Sequence, residues 1–272
     1  MLHFRSLRSG SSGNGQLLVA GRDALLVDLG MPAKTALKPV LAELRQRGVR
    51  LLGALVTHEH GDHFAVGALR AMAALKLPVY APRSAIGFAE RCPELGVHSG
   101  RPRFVAVDDG EAWERQVRLG PFTVRPVEVE HHATATCCAY AVWAEVAGGI
   151  VRAVLATDLC HPRGLPAHLV NADLVYLESN HDPELLRLRP NPASRFHLAN
   201  EACASLLADA RARSSRPFQH VCLGHLSELR NSPTLAKETL AAVLNRHGQP
   251  LDFPVSTAPR YHAGLTVTVR PT

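Results

Sequence analysis

A chain of 272 residues that is 46% hydrophobic can bury a substantial core, and its 19 prolines and 20 glycines are spread out without marking a linker, so one domain over residues 1–272 is expected. The net charge of +6 and pI near 9.2 mildly favour an anionic partner, although no basic tract marks a nucleic-acid site. No run of about 18 apolar residues occurs and residues 1–8 lack the apolar core of a signal peptide, which argues against membrane insertion and for the cytoplasm, while six cysteines without Cys-x-x-Cys spacing argue against a disulfide scaffold.

Residues 3–7, 16–20 and 24–28 read as three short strands. Between the first two lies Ser9-Gly10-Ser11-Ser12-Gly13-Asn14-Gly15, either a flexible turn or a loop whose amides and Asn14 side chain face an anionic substrate. It lacks the Lys-Ser/Thr ending of a P-loop, which excludes that route to triphosphate binding. An amphipathic helix follows over residues 34–47, and residues 51–56 form an apolar run that reads as a buried strand.

That strand ends in Thr57-His58-Glu59-His60-Gly61-Asp62-His63, three imidazoles and a carboxylate within six positions, with a helix expected over residues 64–76. In extended chain His58 and His60 point to the same side, and Gly61 lets the chain bend so that Asp62 and His63 face one cavity from the helix side. Neutral imidazole suits zinc and other first-row metals, and a carboxylate can hold a second ion beside the first.

A strand at residues 78–81, a helix at 83–91 and a loop at 93–102 come next, then a β-rich region over 104–146. Its alternating segment 122–130 runs into His131-His132, only one of which can share the strand's inward side. Residues 151–156 form a buried strand ending at Thr157-Asp158, and residues 173–177 another, ending at Glu178-Ser179-Asn180-His181-Asp182. A helix over 197–212, a strand over 218–223 closing on Gly224-His225-Leu226-Ser227, a helix over 234–245 and a strand over 261–269 complete the chain. Strands ending in polar residues and alternating with helices, in two successive halves, suit an α/β architecture of the αββα sandwich type, in which strand ends gather along one edge.

Ligand counting then favours two metals. His58, His60 and His131 leave a tetrahedral zinc one open position. Asp62, His63 and His225 can hold a second ion, with Asp158 bridging. Two such ions clamp a phosphoryl or carbonyl oxygen and lower the pKa of water to about 7, so hydrolysis by a metal-bound hydroxide follows. No Gly-x-Ser-x-Gly elbow is present, which disfavours covalent catalysis.

The Thr-His-x-His-x-Asp-His stretch resembles the signature of the metallo-β-lactamase-fold hydrolases. The blocks Gly10 to Asn14, Thr157-Asp158-Leu159, Glu178 to Leu186 and His225 to Glu228 resemble, in their order, those of its YycJ/WalJ-like subgroup, over nearly the whole chain. The resemblance implies two mixed β-sheets flanked by helices and a cytoplasmic metal-dependent phosphodiesterase, with 5′ exonuclease activity on double-stranded DNA attributed to some members. It places metal ligands at His58, His60, Asp62, His63, Asp158 and His225, and aligns His131 of His131-His132-Ala133 with the remaining one. Asp62 and His197 become candidates for catalytic roles, and Ser12, Asn14, Asn180, His181, His197 and Ser227 for substrate contact. Phe196 to Asn200 and Leu229-Arg230-Asn231 depart from the family pattern, so the substrate is less constrained than the metal site.

The expectation is therefore a dinuclear hydrolase holding two divalent ions, with zinc first and manganese or iron as alternatives, and acting on a phosphodiester in DNA or RNA. The competing readings are a hydrolase of the same fold acting on a cyclic phosphodiester, thioester or lactam, and a non-catalytic nucleic-acid-binding protein.

Overall fold

Fourteen short strands lie among the residues that the computed structural model describes, which are 1–95, 101–108, 113, 115–132 and 136–272. The first sheet holds β1 (Leu2–Arg8), β2 (Gly15–Ala20), β3 (Asp23–Val27), β4 (Arg50–Leu55), β5 (Val79–Ala81) and β6 (Phe104–Ala106) in that order, with the last strand, β14 (Val267–Val269), on the far side of β1. The second runs β7 (Val117–Leu119), β8 (Phe122–Val129), β9 (Cys137–Val146), β10 (Gly149–Ala156), β11 (Leu174–Glu178), β12 (His220–Gly224) and β13 (Val255–Thr257). Each sheet has three antiparallel pairings followed by three parallel ones.

The parallel pairings need crossovers, and helices supply them. In the first sheet these are α1 (Lys38–Gln46), α2 (Val66–Ala74) and α3 (Arg83–Arg91); in the second, α4 (Leu165–Leu169), α5 (Pro183–Leu188), α6 (Asn200–Arg213) and α7 (Pro233–Arg246). Local sequence starts two of them well: Asp182 and Ser232 accept from the amides of Leu185 and Leu235, each followed by a proline in the first turn. The inner faces of the two sheets meet in one core that includes Phe4, Leu25, Phe122, Tyr140 and Tyr176. Helices cover the outer faces, α1 to α3 over the first sheet and α4, α6 and α7 over the second. Strands β10 and β11 are buried on both faces, hence their nearly unbroken apolar sequences.

The αββα reading of the sequence matches this arrangement, with differences at element ends. The helix expected from residue 64 starts at Val66, because Phe64 pairs with Leu29 and the Ala65 amide donates to the Leu29 carbonyl. The helix expected from residue 197 starts at Asn200, since His181 pairs with Ala199. The segment over 34–47 opens with a wide π-type turn, Ala33–Leu37, before α1. The terminal strand expected over 261–269 is confined to Val267–Val269; the chain before it is turned against β1 through Gly264, whose amide donates to the Ser6 carbonyl. Part of the loop at 93–102, part of the β-rich region over 104–146 and Ala133 lie outside the described residues.

Candidate metal centre

Strands β3, β4, β10, β11 and β12 all end at the same edge, and the polar residues that follow them converge there. From β4 the chain passes into Thr57, whose amide and hydroxyl both donate to Asp28 Oδ1, at 2.9 and 3.0 Å. The amides of His63 and Phe64 then turn back onto the His60 carbonyl, both at 2.8 Å. The Asp62 and His63 carbonyls are pinned by the Asn14 and Leu29 amides. Gly30 is obligatory at this crossing: a Cβ there would lie 1.6 Å from the Asp62 carbonyl oxygen.

Three imidazoles form one donor set. His58 Nε2 lies 3.0 Å from His60 Nδ1, which lies 3.3 Å from His131 Nε2. The other nitrogen of His131 faces the Phe196 carbonyl at 2.8 Å, so that nitrogen carries the proton and Nε2 is left as a donor to metal. Burial pushes all three rings below the ordinary histidine pKa, His58 furthest, which keeps them neutral as ligands must be. His131 Nε2 lies 3.3 Å from His60 Nδ1 and 3.8 Å from Asp158 Oδ1, whereas the His132 ring packs on Phe196 with its centre 6.2 Å from that of His60.

Asp62, His63 and His225 form a second set, with donor atoms within 4.8 Å of one another. His63 Nδ1 is held by Asp28 Oδ2 at 2.7 Å and His225 Nδ1 by Glu178 Oε1 at 2.9 Å, so both rings present Nε2 to the centre. Asp158 lies between the sets: Oδ2 is 2.8 Å from His63 Nε2 and 3.4 Å from His225 Nε2, while Oδ1 is 3.8 Å from His131 Nε2. Burial works against the charge of Asp158, but His225 and His63 outweigh it and hold the carboxyl well below its usual range. Burial likewise opposes protonation of His63 and His225, but Asp158 with Asp28 raises the first, and Asp158, Asp62 and Glu178 raise the second to about 10. An incoming cation must displace those protons.

A divalent metal fits this arrangement on two grounds. His225 Nε2 is a buried nitrogen with no hydrogen-bond partner among the described residues, and the donors are imidazoles and carboxylates whose distal atoms are already oriented by hydrogen bonds. The His and Asp clusters are suited to divalent metals.

The remaining expected residues divide. His197 enters the centre, with Nδ1 2.7 Å from Glu178 Oε1 and 3.4 Å from Asp158 Oδ1; burial lowers its pKa, but Glu178 outweighs this and raises it. Asn180, Ser12 and Ser227 border a cavity that opens beside His197. Asn14 differs from the expectation of a side chain facing substrate: it has no exposed surface and ties the glycine-serine loop to the His60–His63 turn, with its amide nitrogen 2.8 Å from His63 Nε2. His181 is buried behind Asn180, its Nδ1 3.3 Å from Asn180 Oδ1, and its contact with the site runs through that residue. Two supports escaped the sequence reading, Asp28 behind His63 and Glu178 behind His225 and His197. Both end apolar strands just as Asp158 follows one, and that shared pattern could have found them.

A family model described as Beta-lactamase superfamily domain matches residues 23–220. The chain belongs to that family. Its relatives include the Exodeoxyribonuclease YycJ of Bacillus anthracis, 31% identical over 91% of this chain and 90% of that protein, and the Exodeoxyribonuclease WalJ of Streptococcus pneumoniae, 30% identical over 97% of each. These place it in the YycJ/WalJ-like subgroup of the superfamily. Among solved structures, the metallo-beta-lactamase fold protein YhfI of Bacillus subtilis superposes with a TM-score of 0.70 at 19% identity, covering 97% of this chain and 100% of that one. A diphosphatase of the PhnP family gives 0.63 at 16% identity, covering 98% of each chain. The metallo-β-lactamase fold is shared in both cases.

Proposed function

We propose that this superfamily member is a metal-dependent phosphodiesterase that degrades DNA from an end, with two divalent ions, zinc first, held by His58, His60 and His131 on one side and Asp62, His63 and His225 on the other, and Asp158 between them. What carries the reading is the pairing of two donor sets across one buried carboxylate; two relatives similar over nearly their whole length bear the name exodeoxyribonuclease. Two divalent ions, when bound, supply Lewis acidity towards the phosphoryl oxygen and a water that ionises near neutral pH.

The chain's own residues do the rest. Asp28 and Glu178 fix the tautomers of His63 and His225, so that each presents its Nε2 to the centre. Glu178 favours the protonated form of His197, which then offers an N–H to a phosphate oxygen and a proton to the departing oxygen, in the role of general acid. Ser12, Asn180 and Ser227 border the adjoining cavity and supply hydroxyl and amide groups to the substrate backbone. Asp62, whose Oδ2 lies 3.5 Å from His63 Nε2 and 3.8 Å from His225 Nε2, would hold an ion together with those rings and orient a water beside it.

The test is metal analysis coupled to a panel of phosphodiesters on one preparation: double-stranded DNA, single-stranded DNA, RNA and bis-p-nitrophenyl phosphate. Metal-loaded protein should cleave DNA and the small ester, and Asp62→Ala or His63→Ala should lose both activities. Undiminished turnover in those variants would refute the assignment.

A further inference from the structure

A cavity of about 360 Å³ opens beside the metal centre at Asn180 and His197 and runs outward past Leu229 and Arg230 to Arg260 and Tyr261. A second cavity, of about 430 Å³, shares Ser227, Glu228, Arg260 and Tyr261 with the first, so the two form one groove. None of its outer residues belongs to the two donor sets.

The side chains of this groove are held from below and open above. Arg260 donates to the Leu226 carbonyl and packs on Gly10, where φ is +115° and a Cβ would come within 2.8 Å of its guanidinium nitrogen. Arg230 is fixed on the Arg189 carbonyl at 2.5 Å. Tyr261 donates to Glu228 Oε1 at 2.9 Å, and the guanidinium carbons of Arg8 and Arg260 lie 5.6 and 5.9 Å from its ring centre. Tyr261 and Leu229 are each 56% exposed, and neither belongs to any of the three hydrophobic cores. The guanidiniums of Arg8 and Arg260 at the ring, and that of Arg230 in the lining of the same cavity, outnumber the one carboxylate of Glu228 and leave the groove cationic. A small phosphodiester needs only the metal centre. An exposed aromatic ring and an exposed aliphatic side chain between guanidiniums, continuous with that centre, suit a base on one side and a polyanionic backbone on the other.

We infer that this groove holds the nucleotide next to the scissile phosphodiester, with its base against Tyr261 and Leu229 and its phosphates along Arg230 and Arg260. The inference rests on the nuclease reading above and adds what separates a DNA strand from a small ester.

The experiment uses the full metal-loaded chain with fluorescently labelled DNA and, in parallel, bis-p-nitrophenyl phosphate. Tyr261→Ala should raise KM for DNA about tenfold, as expected for loss of one base–aromatic stack, with kcat little changed. Tyr261→Phe keeps the ring, loses only the bond to Glu228, and should stay near wild type. Leu229→Glu, which leaves Tyr261 in place, should also raise KM for DNA and decides the matter if Tyr261→Ala fails to fold. In a cleavage-resistant phosphorothioate strand, 2-aminopurine beside the scissile position should be quenched by wild type and Tyr261→Phe but not by Tyr261→Ala. If wild type cleaves DNA while Tyr261→Ala and Leu229→Glu keep its KM and its quenching, the groove is overturned and the nuclease reading stands. If wild type hydrolyses the small ester but neither binds nor cleaves DNA, the nuclease reading falls and the groove assignment with it.

Discussion

Glu178→Gln isolates the support of the metal centre from its ligands. Glu178 has no exposed surface, and its two oxygens accept from four donors: His197 Nδ1 at 2.7 Å and His225 Nδ1 at 2.9 Å on Oε1, the Leu159 amide at 2.9 Å and the Leu198 amide at 3.3 Å on Oε2. Burial pushes its carboxyl up, but His197 and then His225 outweigh that and hold it at about 2. Glutamine keeps the volume and one acceptor. Its NH2 group must face either two backbone amides or two ring N–H groups, donor against donor, so two bonds are lost in either orientation. Hydrogen bonds to a charged group are worth about 1.5–3 kcal/mol each, which puts the loss at roughly 3–6 kcal/mol in metal-free protein. At about 2–4 °C per kcal/mol, Tm should fall by roughly 6–24 °C. Because the folded pKa lies below the unfolded value near 4.5, this stabilisation is complete above that pH and is lost as the pH falls through about 2, so the gap between variant and wild type should narrow in acid. His225 loses that partner in one orientation and keeps only a neutral acceptor in the other, which should weaken metal binding at the Asp62, His63 and His225 set by up to about 10- to 100-fold and spare the three-imidazole set. Metal titration with elemental analysis and thermal unfolding measure both effects. An unchanged Tm together with unchanged affinity for every bound ion would refute the role given to Glu178.

Three further outcomes follow from the same geometry. Metal uptake by the Asp62, His63 and His225 set should release about one to two protons near neutral pH, because both imidazoles hold theirs in the metal-free protein; calorimetry in buffers of different ionisation enthalpy measures this, and zero release contradicts it. Gly30→Ala should cost at least roughly 3 kcal/mol and lower metal content, since the new methyl would collide with the Asp62 backbone; denaturant unfolding and metal analysis check it. Asp173→Ala, far from the chemistry, should cost roughly 2–4 kcal/mol in urea unfolding, because it strands the Arg152 amide, Gln219 and the partly exposed Arg216, while folded protein keeps full activity.

The residues brought together at the strand ends were mostly legible, because polar groups able to hold a metal sit where hydrophobic patterning stops abruptly. The run ending in Thr57 to His63 and the run ending at Asp158 could be read as strand ends bearing polar groups without knowing how the strands pair. Asp28 and Glu178 carry the same local signature but were not separated as supports, since that role depends on which imidazole faces each carboxylate across 35 or 47 residues of sequence. Asn14 misled for the opposite reason. A glycine-serine loop looks exposed in sequence, yet close approach of Gly30 and the His60–His63 turn buries its one amide side chain. Helix starts shifted by two or three residues wherever a short backbone pairing, Leu29 with Phe64 or His181 with Ala199, took amides that the helices would otherwise have used.

The matching build of the two sheets explains why supports and ligands alternate as they do. Strands β3 and β10 hold the same place, at the change from antiparallel to parallel pairing, and each is followed by an aspartate in left-handed backbone, Asp28 at φ +60° and Asp158 at φ +53°. Aspartate tolerates that conformation better than most residues, and here hydrogen bonds hold it in place. The neighbouring strands β4 and β11 likewise end in polar segments, Thr57 to His63 and Glu178 to Asp182. The roles are exchanged between halves: in the first the β3 aspartate supports a histidine supplied after β4, whereas in the second the β10 aspartate faces the donor sets and the carboxylate ending β11 supports a histidine supplied after β12. His225 also stands in left-handed backbone, at φ +52°. A single sheet would offer one such row of strand ends. Two sheets face to face bring a support from each half behind a histidine and leave Asp158 between two donor sets, 2.8 Å from His63 Nε2 in one and 3.8 Å from His131 Nε2 in the other.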